Sequence, residues 1–442
     1  MTLRNSSRWP LWANLFAFFV LGAALVATVS LGKSPDEAAH WQYVEHIAQI
    51  GQLPVFRGAA PPAPGYEFHQ PPLYYLLCAP LWKILGAGVQ NYACRAVSLG
   101  CGLWTIALIW RAGQLLFPRE PRVAAFAAGF AALSPLHQAV SASSNNDSLA
   151  GLLAAALFLL IAQILQNGTT RREVWQLGLV AGLSILTKNT LLVLVLVGFF
   201  ALLAGTKKSG ATIRLLPALG ISLGLALLLG GPWLLRNQNL YGDPLALGAF
   251  SAAADKIGPG FAAFSLFLDF FSYLRALIWM IFMTAWGFFG GPNSIISATD
   301  PLGFSRHPGP RISQAWMAPL MLICLAAPLL SLLGLRRLNT EDSQNDADNS
   351  PRENSASQGA TAFWLAGLAL LFLAWAQFAY AHFAGGQARY LHGALLPICV
   401  WGAAGWVGFW GRGRALIIAS TLFGATLLTL TSLNVFVWKT LV

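Results

Sequence analysis

The sequence predicts an all-α, polytopic helical bundle that crosses a membrane about eleven times. Three observations carry this expectation. Hydrophobic residues make up 56% of the 442-residue chain and charged residues only 10%, against about a quarter in soluble domains. Apolar runs long enough to span the hydrocarbon core recur from residue 11 to residue 434. They must be helical, because lipid offers no partner to backbone N–H and C=O groups, and they lack the alternation of barrel strands. Lys and Arg punctuate the ends of these runs instead of forming a patch. The net charge of +11 therefore reads as a topological signal and not as nucleic-acid binding. The five cysteines, scattered through the chain, imply neither a disulfide framework nor a metal site.

Arg4 and Arg8 precede the first run, 11–31, and place the N-terminus in the cytoplasm. The run is too long for a signal-peptide core, and no small-residue cleavage site closes it, so it is read as a retained helix. Residues 34–46 follow on the outer side and read SPDEAAHWQYVEH. Ser34-x-x-Glu37 is a capping-box pattern, with Pro35 in a favoured first-turn position. On a helical wheel Asp36, His40, Tyr43 and Ile47 share one arc, which Trp41, Val44 and Ala48 widen. Glu45 and His46 fall on the wet side. This is a short amphipathic helix lying in the interface. His69 precedes Pro71-Pro72, which should start a second interfacial helix.

Crossings follow at about 96–116, then to about 140, then to Gln166, with Ser143 to Asp147 outside. The stretch 174–204 is broken at Thr187-Lys188-Asn189 and reads as two short helices meeting at the outer surface. The helix from 215 ends in Gly230-Gly231-Pro232-Trp233, so Arg236 emerges outside. Residues 237–313 form a long outer region whose apolar stretch, 264–291, reads as interfacial or re-entrant. One further crossing at 314–335 brings Arg336 and Arg337 inside. Residues 338–358 are Asn/Ser/Asp-rich and too poor in apolar side chains to fold. They read as a disordered cytoplasmic linker between an N-terminal block, 1–337, that carries most of the outer loops, and C-terminal helices within 359–442. Three crossings near 361–381, 392–410 and 415–434 leave the C-terminus outside. No internal repeat is visible.

Six segments in order resemble the glycosyltransferases of the GT-C fold, in particular bacterial relatives of protein O-mannosyltransferases and aminoarabinose transferases. They are PDEAAH (35–40), HQPPLYYLL (69–77), LSPLHQAVSASSNNDSLAGLLAA (133–155), GLSILTKNTLLVLV (182–195), RNQNLYGDPLA (236–246) and GGQARYLHGALLPI (385–398). The Lys/Arg count assigns all six to the same outer face. The resemblance implies transfer of a sugar from a polyprenyl-phosphate carrier, with inversion, on the extracytoplasmic side of the plasma (inner) membrane. It also implies that Asp36 is the catalytic base and Asp147 a second acid that shapes the site.

The residues agree with such chemistry. A base must reach the proton of the acceptor hydroxyl, and cations must meet the charge growing on the leaving phosphate. Arg389, Lys188 and His69 are expected to hold that phosphate, with Arg95, Arg236, His40 and Tyr390 as further contacts. Arg suits a bidentate grip and Lys a point charge. For each outer cation the alternative is snorkelling at a helix end. Glu37 either caps its helix or supports the base or helps to orient the acceptor, and Asp147 either serves the site in one of these ways, caps a helix, or does both. Asp243, in Tyr241-Gly242-Asp243-Pro244, reads as a turn residue. Asp36 and His40, one helical turn apart, could hold a divalent metal, although two ligands do not make a site. No other cofactor is expected. The partners are the lipid-linked donor and an acceptor that could be a glycan, a lipid or a protein. Without a large soluble domain after the last helix, acceptor recognition is expected from the outer loops, 237–313 among them. The competing reading is a transporter or flippase for a lipid-linked or anionic substrate. That class favours repeats with helices broken at mid-membrane, whereas here the polar candidates lie at one face.

Overall fold

The computed structural model describes residues 8–32, 34, 36–59, 63–86, 88–208, 214–254, 269–286, 314–345, 351–381, 386–411 and 413–440. Every regular element among them is helical. The α-helices are α1 Trp9–Thr28, α2 Glu37–Ile50, α3 Leu73–Leu85, α4 Gln90–Leu116, α5 Pro121–Leu133, α6 Pro135–Ser141, α7 Asp147–Asn167 and α8 Arg171–Ile185. They continue with α9 Leu192–Lys208, α10 Leu215–Tyr241, α11 Leu247–Ala254, α12 Phe270–Ala285, α13 Gln314–Asn345, α14 Pro351–Ala381, α15 Leu395–Trp410 and α16 Arg414–Thr440. Three 3-10 turns, Tyr66–His69, Asn189–Leu191 and Ala388–Ala394, lie at helix junctions.

Eight helical stretches among the described residues are long and apolar enough to cross a membrane, or up to nine if the pair α5 and α6, bent by 59°, is one span. The two further crossings that the sequence suggests correspond to α8, which has 15 residues, and to the apolar part of α13, Leu322–Leu335. Both are shorter than a full span. The bend falls at Ser134-Pro135, where proline cannot continue the hydrogen-bond ladder and the Ser134 hydroxyl accepts from the His137 backbone N–H (3.4 Å). The apolar stretch expected within 264–291 contains α12, a 16-residue helix that packs against the Ala388–Ala394 turn.

The bundle is built around α7. Its apolar residues run all round the helix, and such a helix belongs in the interior; accordingly 78% of its spanning window is buried. Helices α4, α8, α9 and α14 pack around it. Helices α13 and α15 approach most closely at Gly334 and Gly405, where an added Cβ would run into the backbone of the partner helix. Such small residues let backbones meet where lipid supplies no hydrophobic drive between helices.

Two local expectations change and a third is extended. The Ser34-x-x-Glu37 capping box does not form: the cap position is Asp36, without a side-chain cap bond, and Ser34 contributes only its carbonyl to the Glu37 N–H (3.2 Å). Pro35 lies outside the described residues. The amphipathic reading of α2 matches its buried set, which contains His40, Tyr43, Val44, Ile47 and Ala48 but adds Glu37. Segment 338–358 is helical at 338–345 and 351–358, while 346–350 fall outside the described residues. Once a helix is nucleated in its apolar part, adding polar turns is far less costly than starting a new one.

Candidate active site

The residues of the six sequence segments converge at one end of the bundle. Asp36 follows α1, Asp147 opens α7, Lys188 sits between α8 and α9, and Arg389 lies in the turn that enters α15. An alternating chain brings these termini to a common face.

Asp36 has left-handed backbone geometry, φ 60° and ψ 2°. Few L-residues adopt it, Asp being among the more tolerant, and such strain tends to persist where the surroundings demand it. The surroundings here are two donors. The Tyr66 hydroxyl donates to Asp36 Oδ1 and the Arg389 guanidinium to Oδ2. Burial pushes the Asp36 carboxyl up, but Arg389 and the hydrogen bonds from Tyr66 and Arg389 outweigh it and hold the group at about 2. It is an ionised, tightly held carboxylate.

Asp147 is buried at the N-terminus of α7, where the helix dipole favours negative charge. It forms an ion pair with Lys188. Capping falls instead to Asn145, whose side-chain oxygen accepts from the Ser148 N–H (3.1 Å). Tyr390 ties the two acid–cation pairs together. Its ring centre lies 4.9 Å from the Arg389 guanidinium and 5.5 Å from Lys188 Nζ, and its hydroxyl accepts from Arg389 (3.1 Å). Asn146 joins two further segments, donating to the Gln70 side chain (3.1 Å) and to the Thr187 carbonyl (3.3 Å).

Several expected site residues are committed elsewhere. Glu37 is fully buried and faces Arg95, also fully buried, at 2.7 Å. Its oxygens also accept from the Gly32 and Ser144 backbone N–H groups. Arg95 in turn donates to the Val26, Val29 and Ser30 carbonyls, which the end of α1 leaves without helical partners. The two residues form a structural knot joining α1, α2, α4 and the 143–147 turn, which leaves neither free for phosphate or acceptor. Arg236 donates to the Leu53 and Pro54 carbonyls (3.3 and 2.7 Å) and packs on Trp233, so it pins the 51–59 segment instead of reaching the Asp36 cluster. Asp243 is the turn residue its sequence suggests, accepting from the Leu245 and Gly248 N–H groups (2.9 Å each).

His69 carries no charge for a phosphate. Nδ1 bonds the Tyr66 carbonyl (2.8 Å) and Nε2 the Gln70 amide (3.2 Å), and its ring stacks on Phe250 at 4.3 Å. Burial lowers its pKa to about 4. His40 Nδ1 pairs with the Tyr75 hydroxyl (2.9 Å), and burial lowers its pKa too. The Asp36–His40 pair that the sequence offers to a divalent ion is thus engaged by Tyr66, Arg389 and Tyr75. Among the described residues no three His, Cys, Asp or Glu side chains come together to hold a metal.

The sequence reading overlooked Tyr66 and Glu67, both buried in the 3-10 turn. It also overlooked a buried histidine pair, His137 Nδ1 to His392 Nε2 at 2.9 Å, beside the Asp147 backbone. Glu67 did carry a signal: it is one of only 16 acids in the chain and stands two residues from His69. Tyr66 carried none, because nothing local shows that a tyrosine in a loop will reach an acid 30 residues earlier.

Residues 69–234 match the family described as dolichyl-phosphate-mannose-protein mannosyltransferase. Comparison with curated proteins gives no match. Among solved structures, the oligosaccharyltransferase of Archaeoglobus fulgidus in the apo form is 12% identical with a TM-score of 0.55, covering 98% of this chain and 56% of that one. The same protein tethered with an acceptor peptide gives 13% identity and a TM-score of 0.53, with 98% and 55% coverage. This chain therefore spans little more than half the length of that relative. ArnT from Cupriavidus metallidurans bound to undecaprenyl phosphate is 16% identical with a TM-score of 0.44, covering 96% of this chain and 78% of that one. The chain is a polytopic helical membrane protein of the GT-C fold.

Proposed function

We propose that the protein is an inverting glycosyltransferase that moves a sugar from a polyprenyl-phosphate carrier to an acceptor hydroxyl. The reaction is placed on the extracytoplasmic face of the plasma (inner) membrane, with the N-terminus cytoplasmic and the C-terminus outside. The observation that carries the reading is the meeting of two acid–cation pairs, Asp36–Arg389 and Asp147–Lys188, around Tyr390. The family match over residues 69–234 supports the donor class, a lipid phosphate sugar.

In this mechanism the donor phosphate draws Arg389 and Lys188 away from their carboxylates. Arg389 grips two phosphate oxygens and Lys188 adds a point charge. Loss of the Arg389 contact frees Asp36 and makes it a stronger base. The acceptor hydroxyl donates to Asp36, and its oxygen attacks the anomeric carbon from the face opposite the phosphate. The anomeric C–O bond breaks, its electron pair stays on the phosphate oxygen, and the acceptor's proton passes to Asp36. The configuration inverts. The cations stabilise the charge that grows on the phosphate, and Asp147, at the N-terminus of α7, keeps Lys188 in the site when no phosphate is bound. The proposed blocks 1–337 and 359–442 meet here, since one contributes Asp36 and the other Arg389. A transporter is disfavoured because these groups lie at helix termini on one face and not at helix breaks in mid-bundle.

The test is transfer of labelled sugar from polyprenyl-phosphate donors, mannosyl first, in vesicles containing the purified protein. Asp36→Asn should lower turnover by about 10²–10⁴-fold. Full turnover in that variant refutes the base assignment.

A further inference from the structure

Three acids in and around the site each have a cation: Asp36 has Arg389, Asp147 has Lys188 and Glu37 has Arg95. Glu67 is the exception. It is 7% exposed, and its Oε2 is buried without a hydrogen-bond partner. Gln70 bonds the carboxyl, and His40, Asp36 and Lys188 lie close enough for their charges to be felt. Tyr66, Tyr75 and Tyr390 in turn feel Glu67. The cations that could have paired with it are already committed to other acids. Leaving a buried carboxylate oxygen bare is costly, and no packing gain offsets it, because a methionine of similar length would fill the same space. A bare acceptor of this kind, on the turn that also carries Tyr66, fits a donor that arrives with the ligand.

Resting on the proposed donor class, we propose that Glu67 is a sugar-recognition residue, its Oε2 accepting a hydrogen bond from a hydroxyl of the sugar on the lipid phosphate. The phosphate is left to Arg389 and Lys188, so Glu67 distinguishes a loaded carrier from a bare one. Such discrimination is physically efficient, because a polar group left bare by the wrong ligand penalises that ligand strongly.

The experiment compares binding of mannosyl-phosphoryl-polyprenol and of bare polyprenyl phosphate to wild type and to Glu67→Gln. A thermal melt of ligand-free Glu67→Met accompanies it. Wild type should bind the loaded carrier more tightly than the bare one. Glu67→Gln should lose about ten- to hundredfold on the loaded carrier only, the range for a buried polar group left without its partner. Glu67→Met should melt at or above the wild-type temperature, since it removes a buried polar oxygen that has no partner and breaks no ion pair. Equal losses on both lipids, no loss on either, or a wild type that binds both lipids alike overturn the inference. A Glu67→Met variant that melts well below wild type also overturns it, by making Glu67 structural. A wild type that binds neither lipid refutes the donor class itself and the inference with it. That outcome is distinct from binding of the bare carrier without discrimination, which refutes only the role of Glu67.

Discussion

Replacing Glu37 with alanine should cost the protein its fold stability and not its chemistry. The Glu37 carboxylate accepts four hydrogen bonds: from Arg95 Nε at 2.7 Å, Arg95 NH2 at 2.8 Å, Gly32 N at 2.9 Å and Ser144 N at 3.1 Å. Both Glu37 and Arg95 side chains are fully shielded from solvent. Alanine leaves a buried guanidinium uncompensated, a change that destabilises by about 3–5 kcal/mol. Two backbone N–H groups also lose their acceptor, at about 1–3 kcal/mol each before relaxation. These terms overlap, so about 5 kcal/mol is a fair expectation for the total. Glu37→Gln should cost less, because its amide oxygen still accepts. The double variant Glu37→Gln, Arg95→Met should be less destabilised than Glu37→Ala, since it removes the stranded charge. Chemical or thermal unfolding in detergent measures all three. If Glu37→Ala unfolds like wild type yet loses turnover, the structural reading of this pair is wrong and Glu37 belongs to the reaction.

Other outcomes follow from the same geometry. Arg389→Ala should lower transfer by about 10²–10³-fold and weaken binding of the lipid phosphate, and unchanged kinetics would remove Arg389 from the phosphate role. His69, whose pKa is lowered from 6.5 to about 4, resists protonation in the fold while the unfolded chain takes the proton. Stability should therefore fall as pH drops from about 6.5 to 4, by up to about 3 kcal/mol, and by less because His69 is only half-buried. His69→Asn should flatten that part of a stability-against-pH curve, and an unchanged slope would place the titration elsewhere. Gly405→Ala should push α15 off the α13 backbone and destabilise by about 1–3 kcal/mol, read as a drop in melting temperature; a neutral result would mean that this close approach does not matter.

Much of the site was legible because helical periodicity is local. The wheel of α2 placed His40 and Tyr43 on the buried arc without knowledge of what they meet. Counting Lys and Arg put residues 36, 147, 188 and 389 on one face, where the two acid–cation pairs are found. What the sequence could not show was pairing at long separation. Arg95 looks like any cation near a helix end until α1 stops beside it, and its partner Glu37 lies 58 residues away. Arg236 and His69 misled for the same reason: their partners are backbone carbonyls of the loop at 53–54 and of the Tyr66 turn, and such loops leave no periodic trace. The composition of segment 338–358 says nothing of a helix entering it from a neighbouring apolar run.

In the proposed reaction Arg389 exchanges Asp36 for a lipid phosphate. A density map of the protein with bound polyprenyl phosphate tests it most directly. Phosphate oxygens should lie about 3 Å from the Arg389 guanidinium, with Lys188 turned toward the same group and Asp36 released from Arg389. A phosphate bound away from both cations, with the Asp36–Arg389 pair intact, would contradict it.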